Sequence, residues 1–110
     1  MSKDTRRFMR LLVFFDLPTL TKADKRAYVM FRRFLIQDGY DMIQWSVYGR
    51  IVNGFDDMQV HLGRLSRNLP NDGSVRALQV SEKQFAQMKL LVGQPKLQEK
   101  TVNAVQLVLL

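Results

Sequence analysis

Two amphipathic helical patterns, separated by an extended aromatic stretch, constrain the fold of this chain more than any other feature. The first predicted helix covers residues 22–37, begins after Thr21, a suitable N-cap, and stops before Gly39. In the second, apolar residues recur at three- and four-residue steps over 55–69, and Pro70 ends the pattern. Each helix must bury its apolar face, so a sheet or another helix has to pack against it.

Short strand patterns surround these helices. The strands are predicted at residues 11–17, 74–80 and 88–92, with a single helical turn at 81–87. The segment 40–52 is rich in aromatic and β-branched residues and is either one bent strand or two strands that meet near 44–46. No Asn-Gly or Asp-Gly turn decides between these alternatives. We expect Asn53 to cap the second helix.

The order of these elements predicts an α+β fold of the ferredoxin-like β-α-β-β-α-β type, an antiparallel sheet with two helices on one face. Its other face then needs cover, which favours a homodimer. An apolar tail at 104–110 predicts a further strand that docks on its own sheet or on a partner's. We therefore expect a basic N-terminal extension at 1–9, a ferredoxin-like domain at 10–93, and a linker with a C-terminal strand contributing to the dimer at 94–110.

Composition limits the class of protein. The chain has 110 residues, enough for one modest core, and no cysteine, which excludes disulfides and zinc-thiolate sites. It has neither an apolar run of the ~20 residues that a membrane span needs nor an N-terminal signal segment, so we expect a cytoplasmic protein. Lysine and arginine number 17 against 10 acidic residues, and the net charge of +7 favours binding to nucleic acid.

A row of cations on the first helix is the predicted nucleic-acid surface. Five of them fall within an arc of ~120° on a helical wheel, opposite the apolar face. These residues, called the basic stripe below, are Lys22, Lys25, Arg26, Arg32 and Arg33. Arg50, Arg76 and Lys89 add positive charge elsewhere. Contacts from such residues to phosphates are independent of base sequence and weaken steeply with salt.

Asp16 is the candidate catalytic and metal-binding residue, because it stands at the end of the first predicted strand, just before Leu17-Pro18. One carboxylate alone is a poor Mg²⁺ site, but in a twofold dimer a residue near the axis occurs twice. Two Asp16 carboxylates can then share one ion, which polarises a phosphoryl oxygen or generates hydroxide. The alternative is that Asp16 accepts hydrogen bonds from turn amides at residues 19–21. The sequence leaves both open.

Other kinds of chemistry find little support. His61 is the single histidine, and its mixed helical neighbours predict a solvated side chain rather than a catalytic one. The chain carries no glycine-rich phosphate loop and no H-E-x-x-H metal motif. Its aromatic residues are scattered, so we assign them to the core rather than to base stacking. Ser46, taken alone, is interpreted as a strand serine that satisfies a backbone group.

Several motifs together resemble a known family. They lie at residues 11–16, 32–35, 39–40, 44–48, 73–78 and 81–85. The strand that ends in Asp16 and the run Gln44-Trp45-Ser46-Val47-Tyr48, similar to a Q-x-S-V-aromatic signature, are the clearest. The chain resembles the smaller of the two CRISPR adaptation (spacer-acquisition) proteins, the CRISPR-associated endoribonuclease family, over nearly its whole length from Arg10 onward.

The resemblance implies a ferredoxin-like homodimer whose C-terminal strand packs across the dimer. It also implies that this dimer bridges two dimers of the larger integrase subunit and holds the spacer DNA duplex. Family members are metal-dependent endonucleases on single-stranded RNA or double-stranded DNA, so the resemblance makes Asp16 the Mg²⁺ ligand and Ser46 a supporting residue of that site. The alternative is a purely architectural nucleic-acid-binding protein without catalysis.

Two features depart from the family pattern. Residues 1–8 precede the strand that opens most members, and Gly49 stands where many members carry an acidic residue. The second departure leaves Asp16 almost alone as an acidic ligand.

Overall fold

A four-stranded antiparallel sheet forms the centre of the molecule, and the computed structural model describes residues 8–93. The strands are β1 (Phe8–Asp16), β2 (Asp41–Gln44), β3 (Val47–Asn53) and β4 (Ser74–Ser81). The helices are α1 (Lys22–Gln37), α2 (Gly54–Ser66) and the short α3 (Glu82–Ala86). The spatial order β2-β3-β1-β4 is that of the ferredoxin-like fold, which confirms the predicted fold class.

Helix α1 has the predicted bounds because its N-terminus is fixed locally. The Thr21 hydroxyl accepts a hydrogen bond from the Asp24 amide (3.0 Å), and the Asp24 carboxylate accepts one from the Thr21 amide (3.1 Å). This reciprocal pair satisfies two amides that would otherwise lack helical partners. The buried face is narrower than predicted, since Ala23 and Met30 are exposed. The apolar face of α1 is therefore shielded from solvent only where it packs against the sheet.

The segment 40–52 forms two strands, β2 and β3, rather than one bent strand. Trp45 and Ser46 make the turn between them, and Ser46 has a left-handed backbone with a φ of 65°. Such a φ is uncommon for a residue with a side chain. This turn contains neither the glycine nor the asparagine that usually marks such a hairpin in a sequence, so the sequence pattern did not reveal it.

Helix α2 begins as predicted but is not capped as predicted. The Asn53 side chain makes no capping hydrogen bond; its main-chain amide donates instead to the Asp57 carboxylate over 2.8 Å. The helix ends at Ser66, so the apolar pattern extends beyond it to an exposed Leu69. Phe55, the first residue of that pattern, is 73% exposed, because only the later turns of α2 face the sheet.

The two faces of the sheet carry unequal cores. The larger core lies under α1 and α2 and includes Leu11, Val13, Phe15, Phe31, Leu35, Tyr48, Val52, Met58 and Leu65. The smaller one, on the opposite face, consists of Leu12, Ile43 and Phe85, with Phe14, Val47 and Val80 packed against it. Phe85 comes from α3, so that short helix covers one part of the opposite face. We call the rest the open face.

Helix α3 is attached to the sheet by an ion pair. Arg10 is buried on β1, its Nε lies 2.7 Å from the Glu82 carboxylate, and its guanidinium lies 4.3 Å from the centre of the Phe85 ring. Beyond α3, the prediction of a strand at 88–92 is wrong, because these residues form no regular structure and Leu91 and Val92 are largely exposed. No strand within residues 8–93 pairs with this run, and an unpaired apolar run does not form β-structure.

The terminal segments predicted from the sequence lie outside the described residues. These are most of the N-terminal extension (1–7) and the linker with the C-terminal strand (94–110). Strand β1 begins at Phe8, three residues earlier than predicted. None of the helices within 8–93 combines the length and apolar character that crossing a membrane requires.

Candidate functional site

Asp16 is the last residue of β1 and is exposed, opposite Ser74 in the register with β4. Side chains alternate between the faces of a strand, and Phe15 belongs to the core under the helices. Leu12 and Phe14 belong to the smaller core on the opposite face. By the same alternation the Asp16 carboxylate lies at the end of the open face.

Two tight turns bracket the end of β1 and fix the position of Asp16. On one side, the Phe15 amide donates a hydrogen bond of 3.1 Å to the carbonyl oxygen of Ser46 in the hairpin turn. On the other side lies Gly73, whose φ is +91°, and a Cβ added there would lie 2.5 Å from the Asp16 carbonyl oxygen. Asp16 therefore has an ordered main chain and an accessible carboxylate.

One of the turn amides after β1 uses an acceptor other than Asp16. In its alternative role, Asp16 would accept hydrogen bonds from the amides of residues 19–21. The Thr21 amide donates to the Asp24 carboxylate instead. Within residues 8–93 no three histidine, aspartate or glutamate side chains come together in a group that could hold a metal ion. Asp16 therefore belongs to no ready-made ligand cluster within these residues, and its metal-binding role stays a prediction.

Gly49 shows why no second acidic residue accompanies Asp16 on β3. A Cβ at this position would lie 2.9 Å from the Leu12 side chain and 3.0 Å from the Ile43 side chain. The smaller core therefore fills the space that a longer side chain would need. The departure from the family pattern noted in the sequence has a packing cause.

Ser46 lies in the hairpin turn rather than within a strand, so its interpretation as a strand serine is wrong. Its side chain is half-buried, and its carbonyl oxygen is the acceptor for the Phe15 amide. It thus stands beside the strand end that carries Asp16. Its supporting role in a metal site stays a prediction.

The basic stripe is accessible along α1. All five of its residues are exposed, and the Arg32 Nε donates a hydrogen bond of 2.8 Å to the Tyr48 hydroxyl. Arg76 is exposed on β4, opposite Phe14 in the register. The structure thus gives these residues the exposure that contact with phosphates requires, although binding itself stays a prediction.

Arg50 differs from the other predicted nucleic-acid contacts because its guanidinium is used within the chain. The Nε donates to the Ile51 carbonyl oxygen (3.1 Å), and a terminal nitrogen donates to the Asp38 carbonyl oxygen. The guanidinium also lies 6.0 Å from the centre of the Tyr40 ring. These contacts give Arg50 a structural role at the end of α1.

Trp45 lies outside the core to which sequence reasoning assigned it, whereas its neighbour Tyr28 packs against the edge of that core. Trp45 is 71% exposed, and its indole stacks on the Tyr28 ring with centroids 5.7 Å apart and planes 21° apart. The two residues lie on the hairpin turn and on α1, so only the folded chain brings them together. The sequence gives little indication that these two rings stack, apart from the position of Tyr28 next to the basic stripe.

The prediction of a solvated His61 is wrong. This residue is 5% exposed, and its Nδ1 and Nε2 atoms lie 2.8 Å and 3.2 Å from carboxylate oxygens of Asp38 and Asp57. Arg64 contacts the second Asp38 oxygen at 2.9 Å. Burial alone would raise the pKa of Asp38, but the hydrogen bonds and charges of His61 and Arg64 outweigh it and lower this pKa. The cluster joins the end of α1 to α2.

The sequence that forms this geometry matches a known protein family. The family model described as CRISPR associated protein Cas2 matches residues 9–88, most of the chain. The chain belongs to the Cas2 family. The match includes Asp16, Ser46 and the whole basic stripe, so the resemblance found in the sequence motifs is confirmed.

Individual Cas2 proteins match over most of the chain. The protein named CRISPR-associated endoribonuclease Cas2 from Acidovorax ebreus (strain TPSY) is 68% identical over 101 residues, covering 92% of this chain and 99% of its own length. A protein of the same name from Campylobacter jejuni is 42% identical over 103 residues, covering 94% of this chain and 72% of its own length. A solved structure described as "Crystal structure of cas2" superposes with a TM-score of 0.50 at 20% identity, covering 82% of this chain and 92% of that one. This last likeness supports the fold alone.

Proposed function

We propose that this Cas2-family chain is a metal-dependent endonuclease subunit of the CRISPR adaptation machinery and acts as a homodimer. The observation that carries the proposal is the exposed carboxylate of Asp16 at the end of the open face. Relatives named endoribonuclease Cas2, including one 68% identical, support a nuclease activity on phosphodiester bonds. We expect the protein to work in the cytoplasm, where CRISPR loci and their transcripts are found.

The proposed cofactor is one Mg²⁺ ion bound between two Asp16 side chains, one from each copy. Carboxylate oxygens are the ligands that Mg²⁺ prefers, and one or two of them with water and phosphate complete its usual site. The bound ion would supply a polarised phosphoryl oxygen or an activated water. The two turns that bracket β1 would keep each carboxylate in place, because Ser46 and Gly73 fix the main chain on either side.

The proposed dimer covers the open face with a second copy. Leu78 and Ile51 are about half exposed on this face, beside the buried Leu12 and Ile43. Removing such surface from water is favourable in proportion to its area. A twofold axis near the end of this face would bring two copies of Asp16 together, as the metal site requires.

The nuclease proposal is tested by comparing wild type with Asp16→Asn and with Asp72→Asn, an exposed aspartate in the turn beside it. Double-stranded DNA and single-stranded RNA are incubated with Mg²⁺ or with a chelator, and the mass in solution is measured in parallel. We expect Mg²⁺-dependent cleavage by wild type and Asp72→Asn, loss of cleavage by Asp16→Asn, and a dimeric mass for all three. Cleavage that survives Asp16→Asn would refute the proposed site.

A second candidate function, which is compatible with the first, is to bridge spacer DNA together with the larger integrase subunit. The exposed basic stripe favours it, since five cations on one helix face suit the phosphates of a duplex. The expected binding is independent of base sequence and weakens with salt. If affinity for a short duplex were the same at low and high salt, this function would be excluded.

The role of the basic stripe can be separated from that of net charge. The double variant Lys25→Gln/Arg26→Gln removes two cations from the stripe, and Arg67→Gln/Lys83→Gln removes two exposed cations elsewhere. We expect the first variant to lower the slope of log affinity against log salt by about 1.8, since each phosphate contact contributes about 0.9. The second should leave the slope nearly unchanged. Co-elution of the chain with the integrase subunit and a spacer duplex tests the bridging role directly.

A further inference from the structure

We propose that the stacked pair Tyr28–Trp45 is a platform on which an unpaired nucleobase of a single-stranded nucleic acid stacks. The inference rests on the proposed nucleic-acid function and adds a second kind of contact to it, one with a base rather than with phosphates. It is carried by the geometry of the pair, by its exposure and by its position next to the basic stripe.

The pair has the geometry of a stacking surface with one side occupied. The Tyr28 and Trp45 rings are nearly parallel, with centroids 5.7 Å apart. Trp45 nevertheless keeps 71% of its surface exposed, so the indole face turned away from Tyr28 is open to solvent. Every nucleobase has a π-face that stacks on such a ring, and the contact requires no particular base sequence.

The platform is fixed from below by the core. The Tyr28 ring meets the buried Phe15 ring edge to face, with centroids 6.0 Å apart. The turn that carries Trp45 is joined to the same residue by the hydrogen bond from the Phe15 amide to the Ser46 carbonyl oxygen. A surface aromatic held in this way loses little conformational freedom when a ligand stacks on it, which favours binding.

Charge beside the platform selects the kind of ligand. Lys25 and Arg32 stand three residues before and four residues after Tyr28, so helical geometry makes both its direct neighbours on α1. Both are exposed, and the hydrogen bond from Arg32 to the Tyr48 hydroxyl directs its guanidinium toward the hairpin. Because the cores of protein–protein interfaces are depleted in lysine, the exposed Lys25 favours a nucleic acid over a protein as the partner. Aromatic rings bordered by cations are the arrangement that proteins use for single strands, with the bases on the rings and the backbone on the charges.

Trp45 is the single tryptophan of the chain, so its fluorescence reports directly on the platform. The test titrates the full chain with a short single-stranded DNA, with an RNA of the same length, and with an abasic oligomer that has the same number of phosphates. We expect the base-bearing strands to quench Trp45. The abasic oligomer should bind through its phosphates without quenching. Comparison of the quenching by the DNA and RNA oligomers then shows which of the two strands the platform accepts.

A matched set of variants measures the contribution of stacking to affinity, read from the anisotropy of a labelled oligomer. Trp45→Ala should weaken binding of the base-bearing strand about tenfold and leave binding of the abasic oligomer unchanged, while Trp45→Phe should restore much of the loss. Phe55→Ala is the control, because Phe55 is equally exposed (73%) but lies at the start of α2. Its affinity should equal that of wild type.

The outcomes separate this inference from the proposed function. Saturable binding of both oligomers without a difference in Trp45 fluorescence would overturn the platform and leave phosphate binding intact. Equal quenching by the abasic oligomer would overturn it as well. If no oligomer binds at any salt concentration, the nucleic-acid function and the platform both fail. The fluorescence comparison uses the unaltered chain, so it remains decisive even if a Trp45 variant does not fold.

Discussion

The Nδ1 atom of His61 lies 2.8 Å from a carboxylate oxygen of Asp38, and both side chains are less than one tenth exposed. The other ring nitrogen lies 3.2 Å from the Asp57 carboxylate. Arg64 reaches the second oxygen of the Asp38 carboxylate over 2.9 Å, so both oxygens of this buried group have a partner. The contacts of Asp38 with His61 and Arg64 therefore connect the end of α1 to α2.

Removing Asp38 should destabilise the fold, because His61 and Arg64 would remain without their acceptor. We expect Asp38→Ala to lower the free energy of unfolding by about 3 kcal/mol, the size of effect seen when one partner of a buried ion pair is lost. Asp41→Ala, at an exposed position of β2, should change it by about 0.5 kcal/mol or less. Urea denaturation of both variants measures the difference, and equal losses would contradict a structural role for the cluster.

The lowered pKa of Asp38 predicts a loss of stability in acid. Its folded-state pKa lies below the ordinary value of 3.8, so the unfolded chain takes up the proton first as pH falls. The contribution of Asp38 is therefore complete above pH 3.8 and disappears as pH falls through the folded-state value. Denaturation curves measured from pH 6 to pH 2 should show this acid-induced loss in wild type. Asp38→Asn should show a smaller one, whereas Asp72→Asn should follow wild type.

Tyr40 predicts a corresponding loss of stability in alkali. Burial, followed by the nearby charge of Asp38, raises the pKa of Tyr40 to about 12, against the opposing effect of Arg50. Since the ordinary value is 10, the unfolded chain ionises first and stability should fall as pH rises from 10 to 12. Tyr40→Phe removes the ionisation, so its free energy of unfolding should depend less on pH in this range. Identical profiles for both proteins would show that Tyr40 titrates normally.

Local signals account for the parts of the fold that the sequence predicted well. Helix α1 has its predicted bounds because the Thr21–Asp24 capping pair lies within four residues and needs no tertiary partner. The end of the first strand at Asp16 was visible for the same reason, since an apolar run that ends in a carboxylate stands in the chain itself, while the role of Asp16 stays a prediction. Its place on the open face, however, depends on pairing with β3 and β4.

The features that the sequence missed depend on residues that are distant along the chain. His61 is buried against Asp38, which lies 23 residues earlier in the chain, directly after the end of α1. The turn at Trp45–Ser46 is stabilised by a hydrogen bond from Phe15 on another strand, so no local turn residue is required. The stacking of Trp45 on Tyr28 follows from that turn. Such contacts exist only after the sheet has assembled.

Gly73 is expected to control the position of Asp16, and one substitution can show it. In Gly73→Ala the new Cβ would meet the Asp16 carbonyl oxygen at 2.5 Å, and the residue would have to adopt a φ of +91°. We expect a loss of about 2 kcal/mol or more in the free energy of unfolding, because backbone strain and a steric clash add. Nuclease activity should fall as well, since the end of β1 has to move.

Gly93→Ala is the matched control for this prediction. Gly93 has a similar left-handed φ of +111°, but the nearest side-chain atom to an added Cβ lies 4.0 Å away. This variant therefore carries the backbone strain without the clash, and its loss of stability should be about 1–2 kcal/mol at most. Activity measured at a temperature where both variants are folded then isolates the displacement of Asp16. Equal activity in the two would mean that contact with Gly73 does not position the carboxylate, whereas a selective loss in Gly73→Ala would show that the turn is part of the site.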